Sequence, residues 1–204
     1  MNLRADSTFH KNLILINGLL PAVLMMIDFN RGLIGVNPVE FVTCSTGVLT
    51  LVFLVLTLLV TPLWKIFGWT WLVKQRRLLG LYAFLYGTAH LLAYLAGDRD
   101  WRWQTVPGDV WQRPFVAIGM LSFLLMVPLA VTSTNAMVQK LGARRWRLLH
   151  RLTYLVAIGG VVHYGLIVKS DFTWPYAFGT IVGLLLLYRV VAFLPKLVRP
   201  AAAQ

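Results

Sequence analysis

Residues 76–90, RRLLGLYAFLYGTAH, open on two arginines and run into an apolar helix with a single histidine, His90, well inside it. Residues 144–163, RRWRLLHRLTYLVAIGGVVH, repeat the pattern: basic residues, an apolar run, and His163 at a comparable distance from the charged end, with His150 between. An ionisable group inside an apolar span is costly and reads first as functional, and imidazole is a common ligand of metals and haem iron. The two stretches together predict membrane helices with a haem held between them.

The composition agrees with a membrane chain. Of 204 residues, 58% are hydrophobic and 13% charged, and the mean hydropathy is +0.72, too apolar for a water-soluble domain. The charges cluster between apolar runs close to the ~20 residues that cross a ~30 Å hydrocarbon core. Cys44, the single cysteine, forbids an intramolecular disulfide and reads as an inert buried thiol. The net charge of +12 is spread as a membrane protein's is, which argues against a nucleic-acid partner.

Six spans are expected, at about 12–29, 40–61, 78–96, 115–131, 148–168 and 176–194, in one transmembrane domain covering 1–204 with no separate soluble module. The first follows a basic start that resembles a secretory signal, but it lacks a small-x-small site and reads as a retained span, with Pro21 the place for a kink. His10 at its edge reads as a solvated terminal residue. Pro62 should end the second span. GDRDWRWQTVPGDVWQRP, residues 97–114, reads as a polar loop whose tryptophans form an interfacial belt or a docking surface. TSTN at 132–135 can satisfy the last carbonyls of span four, and a short basic loop should lead on to Arg147.

Five of the nineteen basic residues, Arg31, Arg99, Arg102, Arg113 and Lys169, fall on one side of this six-helix layout, and fourteen on the other. The positive-inside rule then puts both termini in the cytoplasm. Spans three and five both run outward. His90 lies 14 residues after Arg76, roughly 21 Å along a helix, and His163 lies 16 after Arg147, roughly 24 Å. Both belong to the outer half of the membrane, where two neutral imidazoles can fill both axial positions of one iron.

Gly87 lies three residues before His90, and Gly159 and Gly160 lie four and three before His163, on the ligands' own faces. They are expected to leave room for a flat macrocycle, or else to pack helices closely. His150 sits 13 residues inward of His163, roughly 20 Å and about 140° short of four turns. A second haem there would need a ligand at the start of span three, where Arg76 and Arg77 stand instead. Arginine is a poor iron ligand but suits propionates or a flavin phosphate. Electrons crossing from the cytoplasmic side would need a carrier near His150. A proton relay or small transporter is the rival reading, weakened by the lack of acids deep in the spans, and a cofactor-free membrane anchor is another.

NPVE at 37–40, TPL at 61–63, RRLLGLYAFLYGTAH, TSTN and LHRLTY at 149–154 together resemble the MsrQ/YedZ family within the ferric-reductase-like transmembrane group, over nearly the whole chain. That resemblance implies a b-type haem and a bound flavin mononucleotide (FMN) in a multi-pass subunit of the bacterial inner membrane. It implies electrons drawn from the quinone pool or a cytoplasmic flavin reductase and passed to a periplasmic molybdenum-dependent methionine-sulfoxide reductase. The subunit would carry electrons and leave substrate chemistry to its partner. The wider group carries two histidines on each of two helices; here span five keeps His150 and His163, but span three keeps only His90, which makes His150 a candidate ligand of a second haem.

Overall fold

A computed structural model describes residues 3–198, with side chains described for residues 8–192. Arg4, Lys196 and Arg199 of the basic face, and the tail after Pro195, lie outside the described side chains. Among the described residues there are eight α-helices and no strand: α1 (Leu3–Asn30), α2 (Pro38–Phe67), α3 (Thr70–Ala93), α4 (Val106–Gln112), α5 (Pro114–Val131), α6 (Asn135–Leu149), α7 (Leu152–Ile167) and α8 (Thr173–Val198). A π-helical turn (Tyr94–Asp98) extends α3, and a 3-10 turn (Trp103–Thr105) precedes α4.

Among the described residues, five helical stretches are long and apolar enough to cross a membrane: 8–30, 38–67, 70–98, 114–131 and 173–192. The fifth expected span, 148–168, falls on α7, an apolar helix of only 16 residues, about 24 Å long and shorter than the five spanning helices. Its start is later than expected because the chain turns at His150 and Arg151, which leaves Leu148 and Leu149 at the end of α6. The expected basic loop before it is itself helical. Thr134 caps α6 by accepting the Met137 amide at 3.2 Å, and the helix bends at Gly142, whose φ of 75° only glycine adopts freely.

The bundle is a ring of four. α2 packs on α3 and α7, and α5 packs on the same two, so α3 and α7 face each other along the diagonal. Leu58, Ala83, Tyr86, Val156 and Ala157 form its dry centre. α8 lies against α2 and α7, and α1 against α3. α1 is held by two phenols, Tyr82 donating to the Leu15 carbonyl (2.6 Å) and Tyr86 to the Gly18 carbonyl (2.7 Å). It runs unbroken through Pro21, and His10 near its start packs on Trp71, ring centres 4.4 Å apart.

Two expectations about α2 change. The helix continues past Pro62 to Phe67. Proline at 62 deprives the Leu58 carbonyl of its helical partner, and Arg189 of α8 supplies one, its Nη2 donating to that carbonyl at 2.8 Å and to Thr61 Oγ1 at 3.3 Å. Cys44 is exposed rather than buried; it lies on the outward side of α2, along a groove with Glu40, Gly97 and Asp98.

The 97–114 segment is largely ordered into short helical turns. Asp109, buried, pairs with Arg99 (Nη2 to Oδ1, 2.6 Å) and accepts the Tyr94 hydroxyl, while Trp101, Trp103 and Trp111 project outward.

A histidine pair on the bundle diagonal and a polar cluster at its base

His90 projects from α3 and His163 from α7 into the space between the diagonal helices. Their ring centres lie 5.9 Å apart with the planes at 90°. The depth matching read from the sequence is thus realised in space.

Each ring is anchored in the same way. His90 Nδ1 lies 2.9 Å from the Thr43 carbonyl of α2, and His163 Nδ1 lies 2.7 Å from the Phe115 carbonyl of α5. A carbonyl oxygen can only accept, so both Nδ1 atoms carry the proton, and a neutral ring then keeps its lone pair on Nε2. Histidines that bind metal almost always have this arrangement, with the second nitrogen donating to a carbonyl or carboxylate that fixes the tautomer.

The separation also has the right size for one iron. With metal–nitrogen distances of about 2 Å and ring centres ~1 Å behind each nitrogen, two axial imidazoles stand roughly 6 Å apart. Two neutral imidazoles at this spacing are a donor set that could hold a haem iron.

The glycines expected to make room for the macrocycle have protein neighbours. A Cβ on Gly87 would meet Thr50 and Met126 (3.6 and 3.7 Å), one on Gly160 would meet Leu51 (2.8 Å), and one on Gly159 would collide with the Ser122 hydroxyl. These contacts are those of close helix packing. The glycines lying against the imidazoles are others: a Cβ on Gly47 would stand 3.1 Å from His90 Nδ1, and one on Gly119 would stand 2.7 Å from His163 Nδ1 and Cε1. The sequence held a signal for them, since they precede their histidines by 43 and 44 residues, one in each hairpin.

A second cluster gathers the remaining candidates where α6 turns into α7. His150 stacks on Trp146 (centres 3.9 Å apart), and its Nε2 is 3.1 Å from the Thr132 hydroxyl. Trp146 donates to the Thr132 carbonyl at 2.9 Å. Arg77 donates to Asn135 Oδ1 at 2.6 Å, and Arg76 lies beside Tyr154 and Arg189, the latter with its guanidinium 5.3 Å from the centre of the Tyr154 ring. Arg76 and Arg77 lie near enough to His150 for their charges to act on its ring. Trp146, Thr132, Tyr154 and Arg189 are additions that periodicity could not pair, since they come from four helix ends.

Comparison with known proteins is consistent with this geometry. Residues 46–161 match the model of the ferric reductase like transmembrane component family. Among curated proteins, the chain is 44% identical over 185 residues to a protein-methionine-sulfoxide reductase heme-binding subunit MsrQ from Herminiimonas arsenicoxydans, covering 90% of this chain and 85% of that protein. It is 47% identical over 174 residues to the protein of the same name from Azospira oryzae, covering 85% and 75%. Identity to the Rhodospirillum rubrum counterpart is 44% over 173 residues, covering 85% and 83%.

Proposed function

The chain belongs to the ferric-reductase-like transmembrane family, among the MsrQ subunits, and from that premise we propose that it is a membrane b-type cytochrome whose haem is held by His90 and His163. The observation that supports this most is the pair of Nδ1–carbonyl bonds, which leave the lone pair of each neutral ring on Nε2, the arrangement of metal-binding histidines. Haem, when bound, supplies a one-electron carrier. The protein's part is to hold two neutral imidazoles in fixed tautomers inside an apolar bundle; His90 and His163 would both hold the haem, which would then serve electron transfer rather than oxygen binding.

The relatives' name places them in a methionine-sulfoxide reductase system; in our reading the acceptor for this chain is the periplasmic molybdenum-containing reductase that the family resemblance implies, with electrons drawn from the quinone pool or a cytoplasmic flavin reductase. The chain is a multi-pass protein of the inner membrane in this reading, with six spans and cytoplasmic termini. The cluster of Arg76, Arg77 and His150 takes the inner carrier. Guanidinium groups favour a flavin phosphate or propionates over iron, and the Trp146–His150 stack offers a planar aromatic surface, so FMN suits it better than a second haem ligated by His150.

The absorption spectrum of purified protein tests the first part. A dithionite-sensitive Soret band is expected in wild type and lost in His90→Ala and His163→Ala; a folded, colourless wild-type protein would overturn the haem reading in favour of a relay, transporter or anchor. For the inner carrier, flavin and haem extracted and counted per chain should show flavin reduced in His150→Ala with haem unchanged. If neither cofactor changes, His150 has no part in holding a carrier.

A further inference from the structure

We propose that Gly47 and Gly119 are positioning residues that set the ligand strength of the two histidines, by allowing each imidazole to reach a backbone carbonyl of the neighbouring helix. The inference rests on His90 and His163 being the haem ligands.

In an α-helix the amide of residue 47 bonds the carbonyl of residue 43, and that of 119 bonds the carbonyl of 115. The two carbonyls in question are the ones that also accept the histidine Nδ1 protons. A helical Cβ tilts toward the N-terminus, so a side chain at 47 or 119 would lean over the carbonyl one turn earlier and occupy the approach of the ring. The distances bear this out: a Cβ at 119 would be 2.7 Å from His163 Nδ1, closer than side chains pack, and one at 47 would be 3.1 Å from His90 Nδ1, tight enough to displace the ring slightly. Both glycines lie in helix interiors, where glycine is a poorer helix former than alanine, so the missing side chain needs a local reason.

The same construction occurs twice. In the α2–α3 hairpin the carbonyl is that of Thr43, the glycine is Gly47 and the ligand His90; in the α5–α7 pair they are Phe115, Gly119 and His163. Each ligand is thus braced by the helix that packs most closely on its own. A hydrogen bond from Nδ1 makes Nε2 a stronger donor and favours the ferric state. Weakening it lowers iron affinity and moves the retained haem toward reduction.

The test uses the full-length protein in detergent or nanodiscs, with hemin as the probe, and compares Gly47→Ala and Gly119→Ala with Gly80→Ala and Gly183→Ala. A Cβ at either control position meets nothing within 4 Å. Hemin affinity should fall about 10- to 100-fold in Gly119→Ala and less in Gly47→Ala, while both controls bind as wild type. In protein saturated with hemin, both site variants should hold more reduced haem than wild type at a fixed ambient potential, a shift that simple loosening of a helix contact would not give. If Gly119→Ala does not fold, Gly47→Ala decides: an affinity and potential equal to wild type overturns the proposal. Wild-type affinity and potential in both variants overturns it too. Failure of the underlying reading looks different, because His90→Ala and His163→Ala then bind hemin as wild type does.

Discussion

At the scale of single residues, the decisive feature is which atom holds a proton. Periodicity could place His90 and His163 at equal depth, but not show that both Nδ1 atoms face carbonyls, because that depends on how neighbouring helices rotate. Arg189 is a parallel case. The sequence shows an arginine near the end of the last span, with the bland reading of a cytoplasmic anchor. The structure gives it a specific task, satisfying the carbonyl that Pro62 orphans. A charge-assisted hydrogen bond to an otherwise unsatisfied buried carbonyl contributes about 1.5–3 kcal/mol. Arg189→Met should therefore destabilise the bundle by about that amount, part of it lost Tyr154 contact. In a Pro62→Ala background, residue 62 regains an amide to bond the Leu58 carbonyl, and the same Arg189 change should cost clearly less. A double-mutant cycle of unfolding in detergent measures the coupling; equal costs in the two backgrounds would show that Arg189 does not serve the proline gap.

At the scale of elements, what was legible followed from composition and what was not followed from local capping. The long apolar helices and their order could be read because twenty-residue apolar stretches have few alternatives in a membrane. The interruption at residues 150–151 could not, since LLHRLTYL contains neither glycine nor proline, and the turn is stabilised from outside the stretch by Thr132 and Trp146. The helix α6 was hidden for a different reason. Its residues, NAMVQKLGARRWRLL, are polar enough to pass for a basic loop, and its start depends on one Thr134 cap. The TSTN motif emerges as a junction between elements rather than a simple end of α5: Thr132 meets His150, Ser133 bonds back to the Leu129 carbonyl, Thr134 starts α6 and Asn135 receives Arg77. Half of the candidate site, the histidine pair, was visible in sequence because both residues lie on regular helices. The inner cluster was visible only as isolated residues, because its geometry is made by caps and turns.

At the scale of the whole molecule, charge and position of the histidine pair are linked. Six of the seven acids, Asp28, Glu40, Asp98, Asp100, Asp109 and Asp171, fall on the side that carries only five basic residues, and the other fourteen basic residues have only Asp6 for company. By the positive-inside rule the basic excess predicts that the α2–α3 and α6–α7 connections face inward, which would put the pair near the ends of α3 and α7 toward the periplasm and the Arg76–His150 cluster toward the cytoplasm. The proposed direction of electron flow rests on this expected orientation. It can be checked in intact cells with a membrane-impermeant maleimide, after Cys44, which is exposed, is changed to serine. Cysteines placed at Val36 and Trp111, both almost fully exposed, should label at once, while one at Ala143 in the basic segment of α6 should label only after permeabilisation. The reverse pattern would put the histidine pair on the cytoplasmic side and remove the route to a periplasmic acceptor, even if both imidazoles bind haem as proposed.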